Sequence, residues 1–269
     1  MKTIVDEGLL YRRFCFFFYV KVASILRLFV DVIVLKNNTL KSFLNDNKHF
    51  MFHILKPSVR CCRCSKQSLT SPCEKSVLIE QQVKLLYDMN GNPRPGHQKV
   101  NGTVITQFCL CQIKATSSNN TANLDIKMML TIIQKCSPQV YNKLLPHFDL
   151  IITQRNALEK YETNGTMSEA DFDSKWNDLE KAILTIVSEI DYSHRRYEEN
   201  EINRLKNMNV SNEEISEQFR CITPEVSIFI YHIYLTIPTL QWLRTYVTYS
   251  YLDMVWPKID SDCFLITNN

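Results

Sequence analysis

Cysteine and histidine side chains are concentrated in one stretch of the chain, with spacings that suit metal binding. Six of the ten cysteines lie between positions 61 and 111. Cys61 and Cys64 form a C-x-x-C pair, which lets two thiolates reach one ion from a tight turn. Thiols and imidazoles are the ligands of structural zinc sites, and the candidates here are His49, His53, Cys61, Cys62, Cys64, Cys73, His97, Cys109 and Cys111.

From these candidates we predict one structural zinc site. Its ligands are His53, Cys61, Cys64 and Cys111, with Cys62 and Cys109 as substitutes. His53 lies near a predicted helix end just upstream of the C-x-x-C pair. Cys109 and Cys111 are two positions apart, so on a strand they point to the same side.

The second half of this set is C-x-C rather than C-x-x-C, which leaves an alternative open. The cysteines are then small buried apolar side chains, as free cysteines often are. The identity of the metal is also open, because nitrogen and sulfur ligands fit several ions. If zinc binds, four protein ligands leave no position for a water, so the ion folds the region and performs no catalysis.

The apolar run over 10–35 indicates whether the chain is exported to an oxidising compartment. It carries Lys21, Arg27 and Asp31 and has no small-residue cleavage site, so it does not resemble a secretory signal. We therefore expect a cytoplasmic location. In a reducing compartment, clustered cysteines are better interpreted as metal ligands than as disulfides.

The elements that must position the cysteines follow from composition and periodicity. Only 5 glycines against 22% charged residues favours helices. Apolar residues recur at helical spacing over 10–35, which predicts a buried helix, with an interfacial helix or a membrane span as alternatives. Thr39 can cap a helix over 40–55, and the alternation over 103–114 predicts a strand.

The second half of the chain predicts further helices, over 124–136, 146–161 and 193–220. Ser168 begins a capping-box-like start, and the helix that it opens has an apolar seam. The seam consists of Phe172, Trp176, Leu179, Ile183, Ile186 and Ile190. The polar stretch 116–123 is the predicted boundary. The domains are then a basic Cys/His-rich module over 1–115, a helical bundle over 124–220 and an apolar tail over 221–269.

Arg155 and Asn156 lie near the end of the helix over 146–161, just before a polar, glycine-containing connection. With the Ser168 helix start and Trp176, this order resembles the HEPN domain, in the variety found in relatives of the DAZ-interacting zinc finger protein. The resemblance covers 124–195. It implies a mainly α fold, a HEPN-like helical bundle preceded by a small Cys/His-rich α+β module, and a homodimer or heterodimer.

The resemblance also implies what the Arg-Asn pair does. Active HEPN ribonucleases carry a histidine shortly after it, as a general acid–base near neutral pH. Here that window contains Lys160, Tyr161 and Glu162, and none of these replaces an imidazole. We therefore expect no catalytic residue. Arg155, Asn156 and Lys160 become candidates for RNA binding in a non-catalytic, RNA-linked or innate-defence assembly.

Three alternatives remain open from the sequence. One is a metal-independent ribonuclease that uses Arg155. Another is a membrane-tethered adaptor that inserts the apolar residues 225–243. The third gives Arg155 a structural role, paired with Glu159 or Glu162.

Other sequence features narrow the class further. The Cys/His pattern before the helical half also resembles a set of uncharacterised invertebrate proteins, whose matching CQIKA run favours Cys111 over Cys109. Residues 1–65 contain 11 Lys/Arg against 4 Asp/Glu, a basic surface that suits phosphates, anionic lipids or an acidic partner. The chain has no glycine-rich phosphate loop, H-E-x-x-H motif or nucleophile elbow, which argues against kinases, dehydrogenases and metalloproteases.

Overall fold

The computed structural model of the chain describes residues 6–36, 38–56, 59–64, 78, 80–116, 120–161 and 165–208. These residues are mainly helical, and their short strands are confined to the Cys/His-rich region. The predicted fold class is confirmed at that level. The apolar tail 221–269, including the stretch 225–243, lies outside the described residues, as does Cys73.

The N-terminal apolar run is one continuous helical element. It consists of α1 (Glu7–Phe16), a π-helical turn (Phe17–Val22), α2 (Ala23–Phe29) and a second π-helical turn (Val30–Val34). The Asp6 carboxylate caps its start by accepting from the backbone N–H groups of Gly8 and Leu9. Most of its apolar side chains are buried, which confirms the predicted core helix.

The Cys/His-rich region combines short helices and short strands. The helices are α3 (Leu40–Asp46), α4 (Lys48–Leu55) and α5 (Glu80–Leu86). The strands are β1 (Arg60–Cys61), β2 (Tyr87–Asp88), β3 (Lys99–Asn101), β4 (Val104–Phe108) and β5 (Lys114–Ala115). Thr39 caps α3 as expected, and Asn47 separates α3 from α4 where a single helix was predicted.

The strands form two small sheets. In the first, β4 lies in the middle, parallel to β1 and antiparallel to β3. In the second, β2 pairs with β5 in antiparallel fashion. The strand predicted over 103–114 was therefore too long. It ends at Phe108 because the chain turns through a 3₁₀ segment (Leu110–Gln112) before β5 begins.

The second half of the described chain contains α6 (Ile126–Cys136), α7 (Pro138–Lys143), α8 (Leu145–Tyr161), α9 (Glu169–Ile190) and α10 (Arg195–Asn207). Asp125 caps α6 and Ser168 caps α9, each accepting a backbone N–H three residues later. The predicted helices over 124–136 and 146–161 and the Ser168 start are confirmed. The helix predicted over 193–220 is seen as α10, and residues from 209 onward are outside the described part.

The core is organised around α9. Its predicted seam is buried, apart from a half-exposed Ile190, and Trp176 stacks on Phe17 with ring centroids 4.2 Å apart. Helices α1, α2, α8 and α10 all contact α9. The N-terminal helix therefore packs within the helical core. This burial follows from the apolar composition of the run over 7–34.

Polar contacts attach the remaining elements to this core. Lys21 on the N-terminal helix forms an ion pair with the buried Glu198 of α10. The Tyr87 hydroxyl donates to the Leu44 carbonyl at 3.0 Å, which joins β2 to α3. The Gln82 amide donates to Asp125 at 2.6 Å and so connects α5 to the start of α6. Helical core and Cys/His-rich region thus share one continuous apolar interior.

Within the described residues, we find no helix that is both long and apolar enough to cross a membrane.

The stacking of Phe17 on Trp176 predicts a large stability effect. Phe17 is fully buried, so Phe17→Ala removes its transfer free energy and leaves a cavity beside Trp176. We expect the free energy of unfolding to fall by about 3–5 kcal/mol. Urea unfolding followed by tryptophan fluorescence measures the loss. Tyr192→Ala, at a side chain that is 76% exposed, is the control and should change stability little.

Candidate metal centres

Two clusters of cysteine and histidine side chains form in the region between α4 and β5. The first cluster consists of His49, His53, Cys61 and Cys64. The second cluster consists of Cys62, His97, Cys109 and Cys111. Within each cluster the potential ligand atoms all lie within 4.8 Å of one another. The first cluster offers two imidazoles and two thiols, and the second offers one imidazole and three thiols. Both sets are of the kind that binds soft and borderline cations, and each cluster could hold a metal ion.

Helix α4 supplies the two histidines of the first cluster. His49 and His53 are four residues apart, which places both rings on one face of the helix. Their ring centroids are 4.9 Å apart, with the ring planes almost perpendicular. Both Nε2 atoms point to the Cys64 thiol, at 3.6 Å from His49 and 3.1 Å from His53.

The two cysteines of the first cluster come from the end of β1 and from the turn that follows it. The sulfur atoms of Cys61 and Cys64 are 3.5 Å apart, and the Cys61 backbone N–H donates to Cys64 Sγ at 3.3 Å. In a tetrahedral zinc site with Zn–S of about 2.3 Å and Zn–N of about 2.0–2.1 Å, ligand atoms are separated by about 3.3–3.8 Å. The separations around Cys64 are close to this range, so the first cluster fits one tetrahedral ion.

The second cluster is built from three segments of chain. Cys62 follows β1 and His97 precedes β3, while Cys109 precedes the 3₁₀ segment after β4 and Cys111 lies within it. Cys111 Sγ is 3.4 Å from His97 Nδ1. The Leu110 backbone N–H donates to Cys62 Sγ at 3.3 Å, so the turn that carries two ligands also holds the third.

The sheet brings these segments into register. Cys61 pairs with Phe108 across the parallel β1–β4 ladder, and the Cys62 N–H donates to the Phe108 carbonyl at 2.8 Å. The Gln107 side chain donates to the His97 carbonyl at 2.9 Å, which fixes His97 beside β4. Stacking of Phe52 on Phe108, with centroids 5.0 Å apart, holds α4 against the same strand.

Protonation in the clusters is set by burial and by hydrogen bonds. Burial lowers the pKa of His53, and the neighbouring His49 lowers it further. Both effects favour the neutral imidazole, whose nitrogen can coordinate a metal. Burial raises the pKa of the Cys61 thiol to about 11. Burial also acts to raise the pKa of Cys109, but hydrogen bonds, including backbone bonds from Arg94 and Gln112, outweigh it and lower the pKa.

Positive charge surrounds the clusters. The pKa of Lys48, next to His49 in the chain, is lowered first by burial and then by the charges of Arg63 and Lys114. The charges of Arg63 and Lys114 act on Lys48 because these three cationic side chains lie near one another. Thiolate ligands of a bound ion would be favoured in this positive environment.

The structure divides the residues of the single predicted site between two clusters. It brings His53, Cys61 and Cys64 together in the first cluster, and it places Cys111 in the second with Cys62 and Cys109. The division arises because Cys62 and Cys64 leave the same turn in different directions. The prediction that Cys109 and Cys111 lie on a strand was wrong, since Cys109 immediately precedes a 3₁₀ segment and Cys111 lies within it. Both thiols still reach the second cluster.

His49 and His97 complete the clusters, and the predicted ligand set did not include them. A signal for His49 was present, because histidines four residues apart on a helix share a face. His97 had no such signal. It lies in the segment between β2 and β3, and only the pairing of β3 with β4 brings it to Cys111.

The candidate RNA-binding residues lie on α8, which carries no cluster residue. Arg155 is half-buried and has an intramolecular partner, and Asn156 is exposed. Lys160 lies one turn further along α8, and its side chain is outside the described part of the chain. The helix–connection–helix order expected around Arg155 is present, since α8 ends at Tyr161 and α9 begins at Glu169.

No family model, curated protein or solved structure matches this chain. The resemblance to HEPN domains therefore stays a prediction.

Gly91 lies against the backbone of Gln112, next to Cys111 of the second cluster, so a larger residue at position 91 should disturb metal binding. A Cβ atom at residue 91 would overlap the carbonyl oxygen of Gln112, immediately after Cys111. Because backbone atoms cannot yield as a flexible side chain does, we expect Gly91→Ala to displace the Cys109–Gln112 turn. Bound metal, measured by mass spectrometry after dialysis, should then fall by about one ion per chain. Asn92→Ala, at an exposed neighbouring position, is the control. Undiminished metal in Gly91→Ala would contradict the prediction.

Proposed function

We propose that this chain is a non-catalytic binding protein whose Cys/His-rich region is folded by two structural zinc ions. The observation that carries the proposal is the pair of clusters, the first with two thiols and two imidazoles and the second with three thiols and one imidazole. Zinc takes both of these ligand sets in tetrahedral structural sites. Because protein side chains would fill all four coordination positions of each ion, no coordination position would remain for a reacting water molecule.

The structural role follows from what the clusters connect. The first cluster would join α4 to the turn after β1, and the second would join that turn to β3 and β4. The strands between them are two to five residues long and form small sheets. Such short strands bury too little apolar surface to be stable alone, so metal binding would supply much of the folding free energy of this region.

We propose RNA as the ligand class, as the HEPN resemblance implies. Supporting this, the first 65 residues are basic, and α8 carries an exposed Asn156 beside Arg155. Absence of catalysis is supported by the residues after the Arg-Asn pair. Lys160, Tyr161 and Glu162 offer no imidazole to act as a general acid–base at neutral pH.

Metal content tests the zinc proposal directly. We expect two zinc ions per chain in the wild-type protein. Cys64→Ser and Cys111→Ser should each retain about one, because each removes a ligand from a different cluster. Cys136→Ser is the matched control, since Cys136 is a free cysteine that belongs to neither cluster, and it should retain both ions.

The same measurement distinguishes one shared site from two. A wild-type protein with a single zinc ion, lost in both cluster variants, would contradict the division into two centres. No bound zinc in freshly purified protein, together with unchanged folding in a chelator, would overturn the structural role.

RNA binding without cleavage is tested with end-labelled structured RNA and no added metal. We expect a mobility shift and no fragments. Arg155→Ala should reduce the slope of log affinity against log salt by about 0.7, the contribution of one phosphate contact on a single strand. Arg196→Ala, at an exposed position on α10, is the control. Fragments that disappear with Arg155→Ala would show a ribonuclease, and the absence of any shift would exclude RNA as the ligand.

A further inference from the structure

An open cleft of about 570 Å³ lies on the Cys/His-rich region, at the opening between α3, α4 and the β2–β5 sheet. Its volume is in the range of sites that hold small molecules. The lining contains three lysines, Lys41, Lys48 and Lys114, which come from three different elements. Their convergence is a property of the fold, because they are separated by up to 73 positions in the sequence.

These lysines have no carboxylate partner in the described part of the chain. The ion pairs found there use three other lysines, two arginines and one histidine, which are Lys21, Lys143, Lys206, Arg12, Arg204 and His194. Lys41 and Lys114 are exposed, and Lys48 is half-buried. Arg63 adds a further positive charge near Lys48. Bringing like charges together is unfavourable, and a bound anion would offset that repulsion.

One carboxylate also lines the cleft. Asp88 is the cross-strand neighbour of Lys114 in the β2–β5 sheet, but its Oδ1 accepts the backbone N–H of Asn90 at 3.0 Å. Three ammonium groups therefore face a single carboxylate, so the cleft retains a positive charge. Asn45 and Thr116 complete the polar lining. The cleft thus offers both charge and uncharged polar groups to a ligand.

The walls of the cleft are held by hydrogen bonds. Asn45 Oδ1 accepts the Ala115 N–H at 3.1 Å, which joins α3 to β5. The Thr116 N–H and hydroxyl donate to the carbonyls of Leu86 and Leu85, at 3.2 and 3.1 Å. Rigid walls reduce the entropy lost when a ligand orders its contacts.

Two of the lysines that line the cleft lie close in the chain to metal-cluster residues. Lys48 is adjacent to His49 of the first cluster, and Lys114 follows Cys111 of the second by three residues. Two ions, where present, would therefore fix both the helix and the strand that carry these lysines. A backbone fixed in this way would hold the lysine ammonium groups at a defined spacing.

We propose that this cleft binds phosphate groups of a nucleic acid backbone, so that Lys41, Lys48 and Lys114 form the principal RNA contact of the protein. The inference rests on the proposed RNA-binding function and assigns its main contact to residues of α3, α4 and β5, and not to Arg155 of α8. A polyanion is favoured over a single acidic group because positive charge continues beyond the cleft, through Arg63. Lysine ammonium groups bind phosphates as point charges, independently of base sequence.

The test uses the zinc-loaded full chain, a fluorescein-labelled oligouridylate RNA and fluorescence anisotropy over a series of salt concentrations. The test variant is Lys41→Gln/Lys114→Gln, which leaves Lys48 unchanged because of its position next to His49. We expect about a tenfold loss of affinity and a decrease of about 1.4 in the salt slope, since each phosphate contact on a single strand contributes about 0.7.

The matched control is Lys135→Gln/Lys181→Gln. It removes the same charge from exposed positions on α6 and α9 and should bind as the wild type does. Zinc content and circular dichroism of both variants establish that they are folded. Equal losses in both variants would show a general charge effect and overturn the cleft assignment.

Two further outcomes separate this inference from the proposed function. If the wild type binds RNA and the cleft variant binds equally well, the cleft assignment fails while RNA binding stands. If the wild type binds no RNA, both fail. A wild type that binds phosphatidylcholine–phosphatidylserine vesicles in a cleft-dependent manner, and not RNA, would assign the cleft to a lipid surface and overturn the nucleic acid proposal.

Discussion

The arrangement of the Cys/His-rich region depends on one short turn, in which neighbouring cysteines point in different directions. Cys61 and Cys64 join the first cluster and Cys62 joins the second. Backbone N–H groups that point at the sulfur atoms of Cys62 and Cys64 stabilise this geometry. The turn therefore couples the two clusters, and an ion in either one would restrict the backbone that supplies the other.

The helical core gives this region a surface on which to fold. Trp176 and Phe17 stack at its centre, and the N-terminal helix passes through it. Phe52, on α4, extends the apolar interior to β4 by stacking on Phe108. Because the interior is continuous, the Cys/His-rich region has apolar support in addition to its metal ligands. The apolar interior and the metal ligands would together hold the elements that line the cleft of Lys41, Lys48 and Lys114.

Local features of the fold were largely determined by the sequence. The Thr39 and Ser168 caps and the apolar seam of α9 appear as predicted, because capping and helical periodicity act over a few residues. The sequence also indicated which thiols come close together, since C-x-x-C and C-x-C spacings keep potential ligands within a short stretch of chain. The HEPN resemblance lies beyond what local patterns can establish, because it concerns the assembly of several helices.

Only the tertiary structure decided how the ligands are divided. His97 reaches Cys111 through the pairing of β3 with β4, and Cys62 departs from Cys61 and Cys64 through the parallel pairing of β1 with β4. Only the tertiary structure also brings together Lys41, Lys48 and Lys114, which lie on α3, α4 and β5. Residue types and short spacings are written in the sequence. Contacts between distant segments depend on strand register and core packing, which arise only when the whole chain folds.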